Sequence, residues 1–433
     1  MKFKTVKLIT SLFSITTPAL AISCTTNEKT IDVENLEDIK SKWDTEITIY
    51  NKYINPGFRG SPDGLNFVKE LNKRFNDLKN KDPLTKNLKN VKFNFQVQND
   101  ANTIYNELEA DNKKYDIGIM NYTNLYTKFL GIENPDYQFN PTIKLVAQTN
   151  TKKFIWQTNA NTYYTRNKMN KELLESADQN NIHWFKNTNL EYPDWTKDKP
   201  LFENSAYSEF YKKNELTNIY RGAIYIAGNE SERNQIKKDW EDKNFFKFVS
   251  HGITFENTDS ASGYKYQVAL MARHFGKTIK ELNEYFSNTQ NKNVVKNLHI
   301  KKTLGKATSG IVPKIGFSPE GELNWILNTK GDNYFKPDGF VSKQKFNDPN
   351  NKVIRTFIFT NPAGYDVVLG RRNLSDKQVD LISQTLQSFN IEDNLYGAYT
   401  GYNRFSKIDK ELFKKFILLQ IQAETTKDLI DEI

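Results

Sequence analysis

Residues 257–264 read NTDSASGY and stand between a predicted strand and a predicted helix that begins at Gly263. The start of a helix leaves backbone N–H groups without intrahelical partners, and the hydroxyl groups of Ser260 and Ser262 point into the same space. N–H donors and the positive end of the helix dipole converge there, which is typical of a site for phosphate or phosphonate. The same pattern also suits a plain N-cap, in which Asp259 or Ser260 caps the helix and nothing binds.

Short strands alternate with amphipathic helices along the first part of the chain. Residues 46–50 (EITIY) predict a strand, the apolar residues within 65–75 fall on one helical face, and residues 91–97 alternate as in a half-buried strand. This order predicts a largely parallel sheet with helices packed on its faces, and such sheets bind ligands beyond the carboxyl ends of their strands. We therefore expect ligand-binding residues in the loops at 51–64 and 121–124.

The alternation resumes after a less regular stretch at 150–215, which contains Trp156, Trp184 and Trp195 among many polar residues. Further strands are predicted at 115–120, 220–226, 248–253, 311–317, 354–359 and 366–369, and further helices at 232–247, 263–275, 379–389 and 412–430.

The composition of the 433 residues excludes a disordered tail and a multi-span membrane protein. The chain is 37% hydrophobic and 13% aromatic, and its mean hydropathy is -0.71, which is too polar for a channel or permease. The formal net charge is +9, and removing a leader that contains Lys2, Lys4 and Lys7 leaves +6. This mild charge suits an anionic small ligand or an acidic membrane surface and requires no nucleic-acid partner.

Cys24 is the only cysteine of the chain, and its position predicts a lipid anchor. A lysine-bearing start and an apolar stretch at 8–22 precede it, as in a secretory signal, and AISC at 21–24 resembles a bacterial lipobox. We therefore predict a signal peptide at 1–23, acylation (palmitate) of Cys24 and a polar tether at 24–41. A plain signal peptide with an incidental cysteine, or a short membrane anchor, are the alternatives.

A second motif links a strand to a helix near the carboxyl end, where TNPAGYDVV (360–368) is followed by RRNL (371–374). Together with the serine-rich helix start, this order resembles the phosphonate- and phosphate-ester-binding proteins of ATP-binding-cassette (ABC) importers. More specifically, the chain resembles the family of mycoplasma extracytoplasmic thiamine-binding lipoproteins (high-affinity transport lipoproteins) in its leader and at 219–226, 237–253, 316–325, 360–368 and 396–409.

The resemblance implies an α/β fold with two lobes, periplasmic-binding-protein-like (type II), in which each lobe is a mixed, mainly parallel sheet flanked by helices. We expect lobe 1 at 42–150 with 355–433, a crossover or embellishment region at 151–215, and lobe 2 at 216–350. Closure about two connecting strands would bury a ligand in the cleft between the lobes.

The resemblance also implies a function, namely capture of thiamine or thiamine pyrophosphate outside the cell and delivery to an ABC permease with its ATPase. We expect a monomer that is lipid-anchored on the extracellular face of the membrane, with no cofactor besides this ligand and no nucleic-acid partner. Involvement of a metal is left open.

The expected site combines phosphate donors with aromatic faces. Pyrophosphate would lie on the hydroxyls of Ser260 and Ser262 and on the N–H groups that follow them. A cationic thiazolium and a flat pyrimidine need aromatic rings, and an aminopyrimidine NH2 needs an acceptor such as Asn361 or Asp366. The full set of expected ligand contacts is Asn121, Tyr122, Ser260, Ser262, Gly263, Tyr264, Trp325, Asn361, Tyr365 and Asp366.

These residues also have purely structural interpretations. Tyrosine and tryptophan are abundant in this chain and often fill cores, Asn361 before Pro362 suits a turn, and Asp366 is placed to pair with Arg371. Arg221 suits a hinge or a surface cation as well as a ligand contact.

An enzyme is not expected, because the four histidines show no ligand spacing and no GxSxG, GxGxxG or phosphate-loop pattern occurs. A binding protein for a phosphonate, phosphate ester or nucleotide is the alternative with the same fold. A surface adhesin is a more distant alternative, and a surface nuclease would need a metal site that the sequence does not suggest.

Overall fold

The computed structural model describes residues 35–52, 56–157, 163–164, 171–198, 202–203, 206–325 and 335–430. The predicted signal peptide and Cys24 lie outside the described residues. Residues 36–41, which the sequence assigned to the tether, belong to a short helix that Asn35 caps and whose Ile39 is buried.

Most of the strands are short. In chain order they are β1 (Glu46–Asn51), β2 (Lys92–Val97), β3 (Ile117–Met120), β4 (Lys144–Phe154), β5 (Phe202–Glu203), β6 (Ala206–Tyr207), β7 (Tyr211–Thr217), β8 (Ile219–Tyr220), β9 (Gly222–Gly228), β10 (Ile253–Phe255), β11 (Val294–Lys296), β12 (Ile315–Pro319), β13 (Val353–Phe359), β14 (Ala363–Gly364), β15 (Val367–Gly370) and β16 (Arg404–Ser406).

The helices fill most of the connections between these strands. They are α1 (Leu36–Lys42), α2 (Pro56–Arg59), α3 (Pro62–Lys81), α4 (Ala101–Glu109), α5 (Lys171–Thr188), α6 (Glu230–Glu241), α7 (Phe245–Ser250), α8 (Tyr266–Phe275), α9 (Ile279–Ser287), α10 (Ile300–Thr303), α11 (Asp376–Gln387), α12 (Leu395–Thr400) and α13 (Lys410–Glu424). Short 3-10 segments at 122–124, 126–133, 192–194, 208–210 and 322–325 and a π-turn at 261–265 complete the described elements.

The larger sheet forms the core of a first lobe. Its strand order is β16-β4-β15-β3-β1-β2, and β7 pairs with the far end of β4. β1 is parallel to β2 and β3, whereas β15 is antiparallel to β3 and β4. Ile47 and Ile49 of β1 are buried while their neighbours are more exposed, because successive side chains of a strand point to opposite faces.

The smaller sheet forms the core of a second lobe, with the order β11-β10-β12-β9-β13. β9 is buried along its whole length, which explains its continuous apolar sequence. The less regular stretch before it contributes α5, which packs on β13. There the side-chain amide of Asn181 exchanges two hydrogen bonds, of 2.8 and 2.9 Å, with the backbone of Thr356.

The chain passes between the two sheets through a pair of short strands. β8 leads from β7 to β9, β14 leads from β13 to β15, and the two are antiparallel, with Tyr220 opposite Ala363. The predicted return to lobe 1 at 355 falls inside β13, which pairs with β9 in the smaller sheet. The next strand that joins the larger sheet is β15.

The last helix, α13, contacts both lobes. Its Phe413 and Phe416 pack against Tyr122 of the first lobe. Its Gln420 donates to the hydroxyl of Tyr266, on α8 of the second lobe, at 3.0 Å. This helix therefore links the two lobes in addition to β8 and β14.

Most predicted elements are confirmed, including the strands at 46–50, 91–97 and 354–359. The predicted strand at 248–253 is wrong, because residues 245–250 form α7. Asn244 caps this helix by accepting from the N–H of Lys247, and the buried side chains of Phe245, Phe248 and Val249 recur at helical spacing. The strand begins only at Ile253.

Candidate functional site

A cavity of about 540 Å³ lies between the lobes, where the π-turn at 261–265 faces the loops that follow β1, β3 and β14. We call it the turn cavity. Its lining brings together Asn121, Ser260, Ser262, Tyr365 and Asp366, which are half of the expected ligand contacts. The remaining lining residues are Lys52, Thr123, Asn124, Tyr220, Asn257, Asp259, Ala261, Tyr399, Thr400 and Tyr402.

Ser260 caps the turn, as the structural alternative proposed. Its hydroxyl oxygen accepts from the N–H of Gly263 at 3.1 Å, and Gly263 is buried. The predicted role of Gly263 as a donor to a ligand is therefore wrong, because its N–H is already taken by the cap. A serine hydroxyl that accepts one bond still carries a proton to donate. Ser262 lines the cavity, and its hydroxyl makes no hydrogen bond within the part of the chain described here.

The ring of Tyr264 points away from this cavity into the core of the second lobe. It packs on Phe255 with ring centroids 4.7 Å apart, and its hydroxyl donates to Asn283 at 2.8 Å. The residue is 4% exposed. Only its backbone N–H is left for the predicted contact with a phosphate.

Asp366 lies on the opposite side of the turn cavity and is almost fully buried. It accepts a short hydrogen bond from the hydroxyl of Tyr402. Burial raises the pKa of Asp366 to about 6, against the opposing effect of this hydrogen bond. The alternative pairing with Arg371 does not occur, since that guanidinium bonds to Asp44, Asp111 and Asp116.

Asn121 and Tyr365 border the same space. The side-chain oxygen of Asn121 accepts from Asn124 at 2.6 Å, which holds the loop after β3 in place. The ring of Tyr365 lies between those of Tyr220 and Tyr402, with centroid distances of 6.0 and 5.7 Å. Tyr365 is half-buried and is therefore available to a ligand as an aromatic face.

Tyr122 and Asn361 are structural residues rather than cavity residues. Tyr122 is fully buried under α13, and its hydroxyl donates to Gln148 at 2.8 Å. Asn361 is buried, and its side-chain oxygen accepts from the N–H of Tyr164 at 2.5 Å. Trp325 ends the 3-10 segment at 322–325, and its side chain lies outside the described residues.

A second cavity of about 560 Å³ adjoins the first. We call it the ring cavity. Tyr220, Tyr365, Tyr399 and Thr400 line both cavities. Its further lining consists of Thr151, Lys152, Phe154, Gln157, Ser208, Tyr211, Thr217, Ile219, Arg221, Pro319, Glu320, Ile391, Glu392, Asn394, Leu395, Gly397, Ala398, Gly401 and Asn403.

Stacked aromatic rings form one wall of the ring cavity. Phe154 stacks on Trp156 at 4.4 Å and on Tyr211 at 4.9 Å, and both Phe154 and Tyr211 are partly exposed. Phe154 and Tyr211 were not among the expected ligand contacts, since they belong to β4 and β7 at the ends of the irregular stretch. The aromatic density of that stretch was the available signal.

A buried ion pair lies beside this wall. Arg221 donates to both oxygens of Glu320 at 3.0 and 2.7 Å, and Glu320 also accepts from Trp156 and Gln157. The side chains of Arg221 and Glu320 are 1% and 3% exposed. Arg221 is therefore not a surface cation, and the pair fixes the segment after β8 to the second lobe. The Nη1 atom of Arg221, at the border of the ring cavity, is buried and makes no hydrogen bond within the described residues.

The described residues contain no group of three or more His, Cys, Asp or Glu side chains arranged to hold a metal ion. Within the same ranges, no helix has the length and apolar character needed to cross a bilayer. The charged side chains around the turn cavity are Lys52, Asp259 and Asp366.

Comparison with known sequences gives consistent matches over most of the chain. A family model described as extracytoplasmic thiamine-binding lipoprotein matches residues 65–421. The high affinity transport system protein p37 of Mesomycoplasma hyorhinis is 29% identical over 426 residues, which cover 96% of this chain and 97% of that protein. The protein of the same name from Mycoplasma pneumoniae is 28% identical over 334 residues, covering 75% and 80%.

A solved structure matches the fold. Mh-p37 of Mycoplasma hyorhinis, proposed to be a thiamine pyrophosphate transporter, superposes with a TM-score of 0.67 at 25% identity and covers 87% of this chain and 99% of its own. The expected two-lobed, periplasmic-binding-protein-like fold is thereby confirmed. Its sheets are mixed rather than mainly parallel, because β15, β16 and β7 in the larger sheet and β9 in the smaller sheet run antiparallel to their neighbours. The relatives are transport proteins and not enzymes.

Proposed function

The chain belongs to the family of extracytoplasmic thiamine-binding lipoproteins, and on that premise we propose that it captures thiamine or thiamine pyrophosphate and delivers it to an ABC importer. The observation that carries this proposal is the pair of adjoining cavities between the lobes, one bordered by a hydroxyl-rich turn and the other by stacked rings. Each has a volume in the range of small-molecule sites.

A phosphate group belongs at the turn cavity. Ser262 offers a hydroxyl, Ser260 retains a hydroxyl proton beyond its cap, and the N–H groups at the start of 261–275 add the positive end of a helix dipole. Charge-assisted hydrogen bonds of this kind contribute about 1.5 to 3 kcal/mol each. A phosphorylated ligand therefore gains affinity from this side of the cleft.

The two rings of thiamine belong at the ring cavity. Phe154 and Tyr211 present a stacked aromatic surface. Tyr365 borders both cavities, and in this proposal one ligand passes it, with its rings in the ring cavity and its phosphate at the turn. A cation over an aromatic face gains up to about 2 kcal/mol once it is desolvated. This wall takes over the role that the sequence assigned to Tyr122.

Capture and release require a change in the angle between the lobes. The antiparallel pair β8 and β14 connects the two sheets and is suited to act as the hinge. Residues from both lobes border the turn cavity, so closure enlarges the contact with a bound ligand and opening reduces it.

The remaining parts of the proposal concern partners and location. The family is extracytoplasmic, and we place the chain on the outer face of the cell membrane, anchored by acylated Cys24 after removal of residues 1–23. In this proposal, it acts as a monomer that hands its ligand to an ABC permease coupled to an ATPase.

Isothermal titration tests the site. Thiamine pyrophosphate is titrated into the wild type and into Ser260→Ala/Ser262→Ala, with Ser250→Ala, an exposed serine of α7, as the control. We expect the double variant to lose roughly tenfold or more in affinity, corresponding to at least about 1.4 kcal/mol. Equal affinities in all three proteins would rule out the turn as the phosphate site.

Native mass spectrometry of the purified protein tests the identity of the ligand. A carried-over mass of thiamine or thiamine pyrophosphate supports the proposal. A carried-over mass of a phosphonate, another phosphate ester or a nucleotide would support the alternative ligand in the same fold. A protein that no thiamine compound stabilises against heat would favour the adhesin, because a ligand at about 100 times its dissociation constant adds about 2.7 kcal/mol.

A further inference from the structure

Gln267 connects the turn to the sheet of the second lobe. It lies on α8 and is fully buried. Its side-chain nitrogen lies 2.6 Å from the carbonyl oxygen of Ser262, 3.0 Å from that of Ser318 and 3.1 Å from that of Ala223. One amide thus joins the turn to β12 and β9, sharing two protons among three acceptors.

The hydrogen-bond pattern of the turn explains why an amide is needed there. In a regular α-helix, the carbonyl of Ser262 would accept from the N–H of Tyr266. Here that N–H donates to the carbonyl of Ala261, and the N–H of Lys265 donates to Ser260, so the turn is widened to a π-turn. The carbonyl of Ser262 accepts from Gln267 instead.

Gly222 confirms how closely the strand approaches this contact. A Cβ atom built on Gly222 would lie 2.7 Å from the carbonyl oxygen of Ser262 and 2.6 Å from the side-chain nitrogen of Gln267. A residue other than glycine would therefore displace the turn or the amide. Gly222 is the first residue of β9 and directly follows Arg221.

We propose that Gln267 is the positioning residue of the phosphate site, and that it sets the direction of the Ser262 hydroxyl by holding the backbone of that residue. This inference rests on the proposed function of the turn. Gln267 does not line either cavity. It acts on the ligand through Ser262 alone and selects for ligands that carry phosphate.

The test compares thiamine with thiamine pyrophosphate, because only the second compound has a group to place on the turn. Both are titrated calorimetrically into the wild type and into Gln267→Met, which keeps the volume and removes the amide. We expect Gln267→Met to bind thiamine pyrophosphate roughly tenfold more weakly while its affinity for thiamine changes by less than about twofold. Equal loss for both compounds, or no loss for either, would overturn the inference.

Gln378→Met is the matched control. Gln378 is also fully buried and donates its amide to a backbone carbonyl, that of Asp44, but it lies on α11 in the first lobe. The Gln378→Met substitution should lower the free energy of unfolding without changing the ratio of the affinities for thiamine pyrophosphate and thiamine. If Gln378→Met changed the ratio of the affinities for thiamine pyrophosphate and thiamine as much as Gln267→Met does, the change would reflect a general loss of stability. That result would overturn the inference.

Gly222→Ala provides a second route, should Gln267→Met fail to fold. Its methyl group would clash with both the side-chain nitrogen of Gln267 and the carbonyl oxygen of Ser262 and so disturb the hydrogen bond between them, and we expect the same selective loss of thiamine pyrophosphate. A wild-type protein that binds thiamine as tightly as thiamine pyrophosphate would count against the phosphate site itself. That result contradicts the proposed function. If the wild type instead binds thiamine pyrophosphate much more tightly than thiamine, and both Gln267→Met and Gly222→Ala keep this preference, only the inference about Gln267 is contradicted.

Discussion

The hydroxyl oxygen of Ser260 accepts from the N–H of Gly263 at 3.1 Å, whereas the hydroxyl of Ser262, two residues later, makes no such bond in the described residues. Two neighbouring serines of the same turn therefore have separable roles. Ser260 closes the turn and Ser262 is available to a ligand.

Single substitutions should separate stability from binding. Ser260→Ala removes a cap and should lower the free energy of unfolding by about 1 kcal/mol. Ser262→Ala should change that quantity by less than about 0.5 kcal/mol and still weaken the binding of thiamine pyrophosphate. Urea unfolding and calorimetric titration of both variants give the two numbers. A Ser262→Ala protein with the wild-type affinity would contradict the assignment of its hydroxyl to the ligand.

Asp366 should make the stability of the fold depend on pH. Its pKa is about 6 in the folded chain, compared with about 3.9 in an unfolded one. Between these values the folded chain holds a proton that the unfolded chain has released. The stabilising contribution is therefore full below about pH 4 and is lost as the pH rises through about 6.

Asp366→Asn should remove this dependence, because an amide stays neutral at every pH. The free energy of unfolding of the variant relative to the wild type should rise by on the order of 3 kcal/mol between about pH 4 and pH 7. Tyr402→Phe removes the hydrogen bond that favours the charged carboxylate and should move the transition to higher pH. Denaturant unfolding at several pH values measures both effects; parallel curves for Asp366→Asn and the wild type would contradict the assignment.

Periodicity was sufficient to predict the strands that the fold depends on most. The alternation in β1 and the unbroken apolar run of β9 both reflect how many faces of the sheet are covered by packed elements, and burial is what a pattern of apolar residues records. It failed in the second half of α7, where the apolar pair Phe248 and Val249 suits a strand as well as a helix. The helix is capped by Asn244, and its buried side chains recur at helical spacing.

Side chains of the site were predictable only where the local motif decides their direction. Ser260 and Ser262 follow from the helix start, and Asp366 from the strand that follows it. Tyr122 was misplaced because α13, almost three hundred residues later, covers it. Tyr211 was missed because its exposure depends on the pairing of β7 with β4, which no local pattern contains.

Breaking the buried ion pair between Arg221 and Glu320 should strongly lower the free energy of unfolding. Glu320→Gln leaves Arg221 buried without a counter-charge and should lower the free energy of unfolding by about 3 to 5 kcal/mol. Asp242→Asn, which breaks the exposed pair with Lys238, should cost less than about 1 kcal/mol. Urea unfolding of both variants provides the comparison, and similar small losses would show that Arg221 finds another partner.

Tyr211 should contribute to the binding of thiamine and of thiamine pyrophosphate alike, because both carry the same rings. Tyr211→Ala removes one face of the stack on Phe154 and should weaken both ligands by roughly tenfold, or about 1.4 kcal/mol. Tyr285→Ala is the control, since Tyr285 is also partly exposed but lies on α9 against Phe245. Calorimetric titration measures the affinities.

Ser262→Ala should affect the phosphorylated ligand alone, so the two variants together give the orientation of the ligand in the cleft. If Tyr211→Ala weakened only thiamine pyrophosphate, the rings would have to lie outside the ring cavity, and the assignment of the two cavities would be reversed.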